Sequence, residues 1–133
     1  MQKIIIASGP VIVENGKVLL NKHGNDDFWK FCGGRIENFD ENLEEAAKRE
    51  VKEEMGVDVE IIDPTPFLLY ASKKLLDDRI DVILVHFNAK RIGEIKVGED
   101  IREWKWIALE DLQKELLAPN ILPTLKHFGY LRD

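Results

Sequence analysis

Only one cysteine, Cys32, occurs in the 133 residues. No intramolecular disulfide can form, and a zinc site built on several cysteines is excluded. Long apolar runs are also missing: nothing approaches the ~18 continuous apolar residues of a membrane span. The opening MQKIIIASGPVIVENGKVLL has a short apolar run without the layout of a signal peptide, and it reads as a strand entering a hairpin. With no targeting signal apparent, the cytoplasm is the expected location. Repeats, low-complexity tracts and linkers are lacking too, and the length suits one domain, 1–133, with a real core. Basic charge is in deficit: 19 Lys and Arg stand against 25 Asp and Glu, a net charge of −6. Such a surface repels nucleic acid and polyphosphate. Any phosphate ligand must be neutralised locally, by Lys, Arg or a bound cation.

What is present reads as alternating strands and helices. Residues 3–8 and 11–14 read as strand, then Asn15-Gly16, then strand 17–21; Asn-Gly between apolar runs is a strong hairpin signal. Residues 22–27 read as loop and 28–31 (FWKF) as a short strand, punctuated by Gly33-Gly34. A helix is expected over 42–55, with Asn42 as N-cap, Glu45 three residues on and Gly56 as the stop. Residues 57–62, 67–73 and 80–89 read as strands, the last two joined at Asp77-Asp78, followed by a strand at 102–107. Helices are expected at 109–116 and 121–129. A mixed α/β fold, a mixed sheet with helices on both faces, accounts for this order.

The helix at 42–55 carries glutamates where a helix should be apolar. On a wheel of about 100° per residue with Glu50 at zero, Leu43, Ala46, Ala47 and Val51 span roughly −40° to 100°. Glu50 and Glu54, at about 0° and 40°, lie inside that arc, and Glu53, at about −60°, lies on its margin. An acidic helix is usually a solvated face, and Glu44 and Glu45 fit that reading through pairs with Lys48 and Arg49. Glu50 and Glu54 do not. Two carboxylates one turn apart on the inward side repel and lose hydration. A divalent cation resolves both, and hard oxygen ligands at i, i+3 and i+4 suit magnesium or manganese.

The stretch GRIENFDENLEEAAKREVKEEMGV, Gly34 to Val57, resembles the Nudix box, G-x5-E-x7-R-E-U-x-E-E-x-G-U with U a bulky aliphatic. REVKEEMGV matches at every specified position, and so does the spacer from Glu41 to Arg49. The NG hairpin, W-x-F-x-G-G before the box and E-x-x-x-x-W-x-W-I-A-L-E-D-L after it are similar to the same family. There are two departures. The spacer from Gly34 to Glu41 is six residues, one more than the family's five, so Asp40 stands where the glutamate would fall, although the register with Arg49 favours Glu41. Cys32 stands where proline often precedes the glycines. It reads as a small buried hydrophobe, since no paired base is evident.

The resemblance implies a Nudix-like α/β/α sandwich and a magnesium-dependent hydrolase (manganese as substitute) of nucleoside diphosphate derivatives. Glu50, Glu53 and Glu54 become metal ligands, with the carbonyl of Gly34, while Glu41 and Arg49 hold the loop against the helix. Glu50 or Glu99 becomes the proton acceptor, with Asp100 and Glu103 still open. Lys22 becomes a phosphate-binding cation or a solvated lysine. The approach to the box looks like the MutT-type nucleoside triphosphate pyrophosphatases. Asn120 resembles the asparagine that reads a base there; as an isolated residue it reads more readily as a helix cap. Trp29, Phe31 and Phe67 could stack a base, though core packing suits at least two of them. The expected partner is a small nucleotide, the chain acting as monomer or homodimer, with neither nucleic acid nor membrane. Hydrolysis of ADP-ribose, nucleotide sugars or dinucleoside polyphosphates stays open. So does a Nudix-fold binding module, which the intact REVKEE disfavours, and a diphosphate isomerase, for which Cys32 alone is insufficient.

Overall fold

The computed structural model describes residues 2–75 and 78–132. Seven strands form one connected sheet: β1 (Gln2–Glu14), β2 (Lys17–His23), β3 (Gly34–Arg35), β4 (Asp58–Ile61), β5 (Phe67–Leu75), β6 (Asp78–Ile92) and β7 (Ile101–Ala108). The principal order is β4-β6-β1-β2-β7; β3 also pairs with β1, and β5 with β6. β1 and β6 run parallel, and every other pair is antiparallel, so the sheet is mixed.

Helices cover both faces, and the strand alternation shows how. On β1 and β2, Val11, Val18 and Leu20 pack with Leu112, Ile121 and Leu125 from a 3-10 helix (Leu109–Lys114) and α2 (Ile121–His127). Their neighbours Ile12 and Leu19 point the other way, onto Val51 and Met55 of α1 (Leu43–Met55). Period-two strands thus divide their side chains between two cores. The hairpin turn adopts positive φ at Asn15 and Gly16, 51° and 76°, as a primed two-residue turn requires.

Four local expectations change. Residues 28–31 are not a strand. Trp29 bonds to Leu116 and Ala118 while Lys30 bonds to Asn21, so successive residues serve different segments and only isolated bridges form. Residues 3–8 and 11–14 are one strand through Gly9-Pro10. Pro10 has no N–H to give, and it pairs only with β6, at Phe87. The helix expected at 109–116 is the 3-10 helix Leu109–Lys114: Ala108 supplies no side-chain cap, and Glu115 N–H closes onto Leu112 in an i−3 bond. The helix expected to reach 129 ends at His127, followed by Gly129 at φ 84°. β5 and β6 do pair, through Leu75 and Asp78, while the Asp77-Asp78 turn lies partly outside the described residues. No described helix is long and apolar enough to cross a membrane.

Candidate active site

α1 begins and ends as its sequence dictates. Asn42 Oδ1 accepts from Glu45 N–H at 2.8 Å, and Asn42 Nδ2 donates to Glu45 Oε1 at 2.8 Å, a reciprocal cap. Gly56, at φ 70°, closes the C-terminus with its N–H on the Lys52 carbonyl. The last carbonyls are taken by the segment leading into β7: Lys96 N–H bonds to Met55 O, and Gly98 N–H to Glu54 O. That capping fixes the position of Glu99 and Asp100 beside the helix end.

The glutamates divide as the wheel implies. Glu54 is buried at 6% exposure, the Glu50 side chain is 14% exposed, and Glu53 is 59% exposed. Glu54 Oε1 accepts from Gly33 N–H at 2.8 Å, and its Oε2 lies 2.7 Å from His23 Nε2. Arg49 is the hub of the rest. Its Nε donates to both oxygens of Glu41, at 3.1 and 3.0 Å, and Nη1 donates to Glu50 at 2.9 Å, with Glu53 beyond at 3.4 Å. Glu41, not Asp40, therefore partners Arg49; Asp40 is exposed, its backbone N–H on Asn38 Oδ1. Burial raises the Glu50 carboxyl above the ordinary carboxylate range, reinforced by Glu54 and Glu53 and opposed by Arg49.

These groups line a cleft of about 720 Å³. Seven carboxylates line it (Glu37, Glu41, Glu50, Glu53, Glu54, Glu99, Asp100) against three Lys or Arg (Lys30, Arg35, Arg49), with His23 and Gly34 also in the wall. Lys22 and Glu103 are elsewhere: they pair with each other at 3.5 Å, and Lys22 lies over the Trp29 ring. The alternation of β2 explains it. Leu19, Asn21 and His23 share the α1 face, and Lys22 belongs to the opposite one. Counting by two from an apolar Leu19 would have selected His23 over Lys22.

A second, mostly apolar cavity of about 490 Å³ adjoins the cleft, sharing Lys30, Gly33 and Gly34 with it. Phe31 and Asn120 line it, with Phe28, Leu69, Tyr70 and His86. Asn120 occupies the N-cap position of α2 but makes no side-chain cap bond; its Nδ2 lies 3.0 Å from His86 Nε2. Phe31 and Trp29 are core residues, at 5% and 6% exposure, while Phe67 stacks on His127. Cys32 is buried, accepts a hydrogen bond from Asn21 Nδ2, and has its thiol pKa pushed far up by burial, so it is no nucleophile.

The NUDIX domain family model matches residues 5–128. This chain belongs to the Nudix family. The nucleoside triphosphatase NudI of Escherichia coli O139:H28 is 30% identical over 136 aligned positions, covering 92% of this chain and 94% of NudI. Among solved structures, a NUDIX hydrolase from Nitrosomonas europaea superposes with a TM-score of 0.74 at 18% identity, covering 95% and 88% of the two chains. A C. elegans Ap4A hydrolase complex gives 0.71 at 22% identity, covering 94% and 95%. As a Nudix hydrolase the chain acts on nucleoside diphosphate derivatives, and Nudix hydrolases generally use divalent metal ions.

The Nudix cleft fits such an ion. Its donors are carboxylate oxygens, which suit hard cations, and their excess over Lys and Arg would repel a diphosphate unless a cation entered with it. Among the described residues no three such side chains are gathered closely enough to hold an ion as they stand. The reason is visible: Arg49 holds Glu50 and Glu53, while Glu54 turns to Gly33 and His23.

Proposed function

We propose that this Nudix hydrolase converts nucleoside triphosphates, ordinary or oxidised, to monophosphate and pyrophosphate with magnesium, or manganese in its place. The observation that carries the reading is that the acidic cleft and the apolar cavity adjoin, sharing Lys30, Gly33 and Gly34. A nucleotide has the same two ends. The likeness to NudI over nearly the whole length supports the triphosphate as substrate.

In this reading Glu50, Glu53, Glu54 and the Gly34 carbonyl would hold the cation. When bound, it neutralises the phosphate oxygens and lowers the pKa of the attacking water. Water attacks phosphorus, the bridging P–O bond breaks, and pyrophosphate leaves. Glu99, which lines the cleft in the exposed loop before β7, takes the water's proton, or Glu50 does so from the helix. Glu41 and Arg49 keep the box loop on the helix, and Phe31 and Asn120 receive the base. The enzyme is expected to work in the cytoplasm on free nucleotides, as monomer or homodimer.

The test is a substrate panel with magnesium: nucleoside triphosphates, oxidised purine triphosphates, ADP-ribose, nucleotide sugars and dinucleoside polyphosphates, products separated by chromatography. Release of pyrophosphate from triphosphates is expected to dominate. Faster turnover of another class would replace the triphosphate assignment. No turnover with either metal would favour a binding module.

A further inference from the structure

The buried pair His86–Asn120 lies outside the hydrolytic cleft and joins residues 34 positions apart. His86 stands on β6 at 5% exposure, edge-on to Phe31 with ring centroids 5.1 Å apart. Its Nε2 meets the Asn120 amide at 3.0 Å. Its Nδ1 is fully buried and has no hydrogen-bond partner among the described residues. Burial lowers the imidazole pKa to about 4, so the ring is neutral at physiological pH and carries one proton for two nitrogens.

The hydrogen bond at one ring nitrogen ordinarily decides which nitrogen holds the proton. Here Nδ1 makes none, and two pairings close the same contact. In one, Nδ1 holds the proton and Asn120 Nδ2 donates to Nε2. In the other, Nε2 holds the proton, the amide is turned over, and Nε2–H donates to Asn120 Oδ1. The first leaves a buried N–H unsatisfied, and the second leaves a bare ring nitrogen; these penalties are similar in kind and size. A single hydrogen bond from a ligand is enough to choose between them. The end of the amide not facing His86 makes no hydrogen bond among the described residues, and Asn120 lines the apolar cavity. That end is an oxygen in the first pairing and an NH2 in the second.

We propose that His86 is a positioning residue that lets the Asn120 amide invert, so that the cavity accepts both the amino and the keto form of a base. The inference rests on the cavity being the base site of the proposed function. An amino group, as in adenine or cytosine, donates to Oδ1; a keto group, as in hypoxanthine or uracil, accepts from Nδ2. The ring keeps one proton throughout.

The test follows the ring nitrogens of His86 by NMR in the 15N-labelled full chain titrated with AMP, IMP, CMP and UMP. Protonated Nδ1 is expected with AMP and CMP, and protonated Nε2 with IMP and UMP. One tautomer in all four complexes overturns the proposal and leaves the base site standing. Nucleotide-induced shifts at His23 and Glu99 with none at His86 or Asn120 overturn the base site, and the proposal with it. A second measurement uses Asn120→Asp, whose carboxylate can only accept. The ratio of kcat/KM for ATP over ITP, within about tenfold in the wild type, is expected to rise by at least about tenfold, the value of one hydrogen bond. An unchanged ratio overturns the proposal.

Discussion

The carboxyl group of Glu50 occupies the space that a side chain on Gly34 would fill: a methyl there would stand 2.5 Å from Glu50 Cδ and 2.7 Å from Oε1. The first glycine of the box motif and a glutamate of its helix are therefore one arrangement. Gly34→Ala is expected to push aside the flexible end of Glu50 and leave the core alone. The free energy of unfolding from denaturant titration should change by less than about 1 kcal/mol, while kcat falls at least about tenfold, as expected for misplaced catalytic groups. A variant with wild-type kcat would separate Glu50 from the chemistry.

Glu54→Gln is expected to lower kcat by roughly a hundredfold or more, because it removes charge from the cation site. The fold should persist. Glutamine keeps an acceptor for Gly33 N–H and ends the repulsion with Glu50. Circular dichroism and steady-state kinetics on the same preparation separate the two effects, and full activity in a folded variant would refute the metal role.

Arg49→Lys tests the loop clamp. Lysine cannot span both Glu41 oxygens and Glu50 together. The pair is partly solvated, so the cost is expected to be only about 1 kcal/mol, a fall in Tm of about 4 °C. Activity should fall further than stability does, since Glu50 and Glu53 lose their common anchor. Thermal melts beside kinetics give the comparison.

Acid sensitivity should trace to His86. Its folded pKa, about 4, lies below the ordinary value of 6.5 because burial disfavours the cation. The unfolded chain therefore takes up a proton first as pH falls. Stability from the neutral buried ring is intact above pH 6.5 and is lost as pH drops through about 4, amounting to of order 3 kcal/mol. His86→Leu should flatten that part of the stability–pH curve. An unchanged slope in the leucine variant would assign the acid response to other groups.

The parts of this fold that were legible in the sequence are those set by local chemistry. Asn15-Gly16 fixes its hairpin through backbone sterics alone, and Asn42, Glu45 and Gly56 bound α1 with bonds made inside the segment. Glu50 and Glu54 betrayed themselves by standing on the apolar arc of their own helix. What stayed hidden depends on distant partners. Residues 28–31 resemble a strand, but their bonds go to Asn21, Leu116 and Ala118. Lys22 carries the attractive charge, yet the pleat of β2 gives the cleft His23 instead. His86 sits in an ordinary apolar strand pattern, and nothing local announces its contact with Asn120.

The two cavities meet only at Lys30, Gly33 and Gly34. Otherwise the acidic one is walled by α1, the loops beside it, His23, Arg35 and Ile101, and the apolar one by β1, β5, β6, the 28–32 segment and the residues leading into α2. Substitutions on β5, β6 or at 118–123 can thus reshape what the apolar chamber admits without disturbing a single carboxylate. Substrate preference can drift while the hydrolytic apparatus is inherited intact. The shared wall of Lys30, Gly33 and Gly34, which borders both chambers, is closed to such change, since any alteration there is felt on both sides at once.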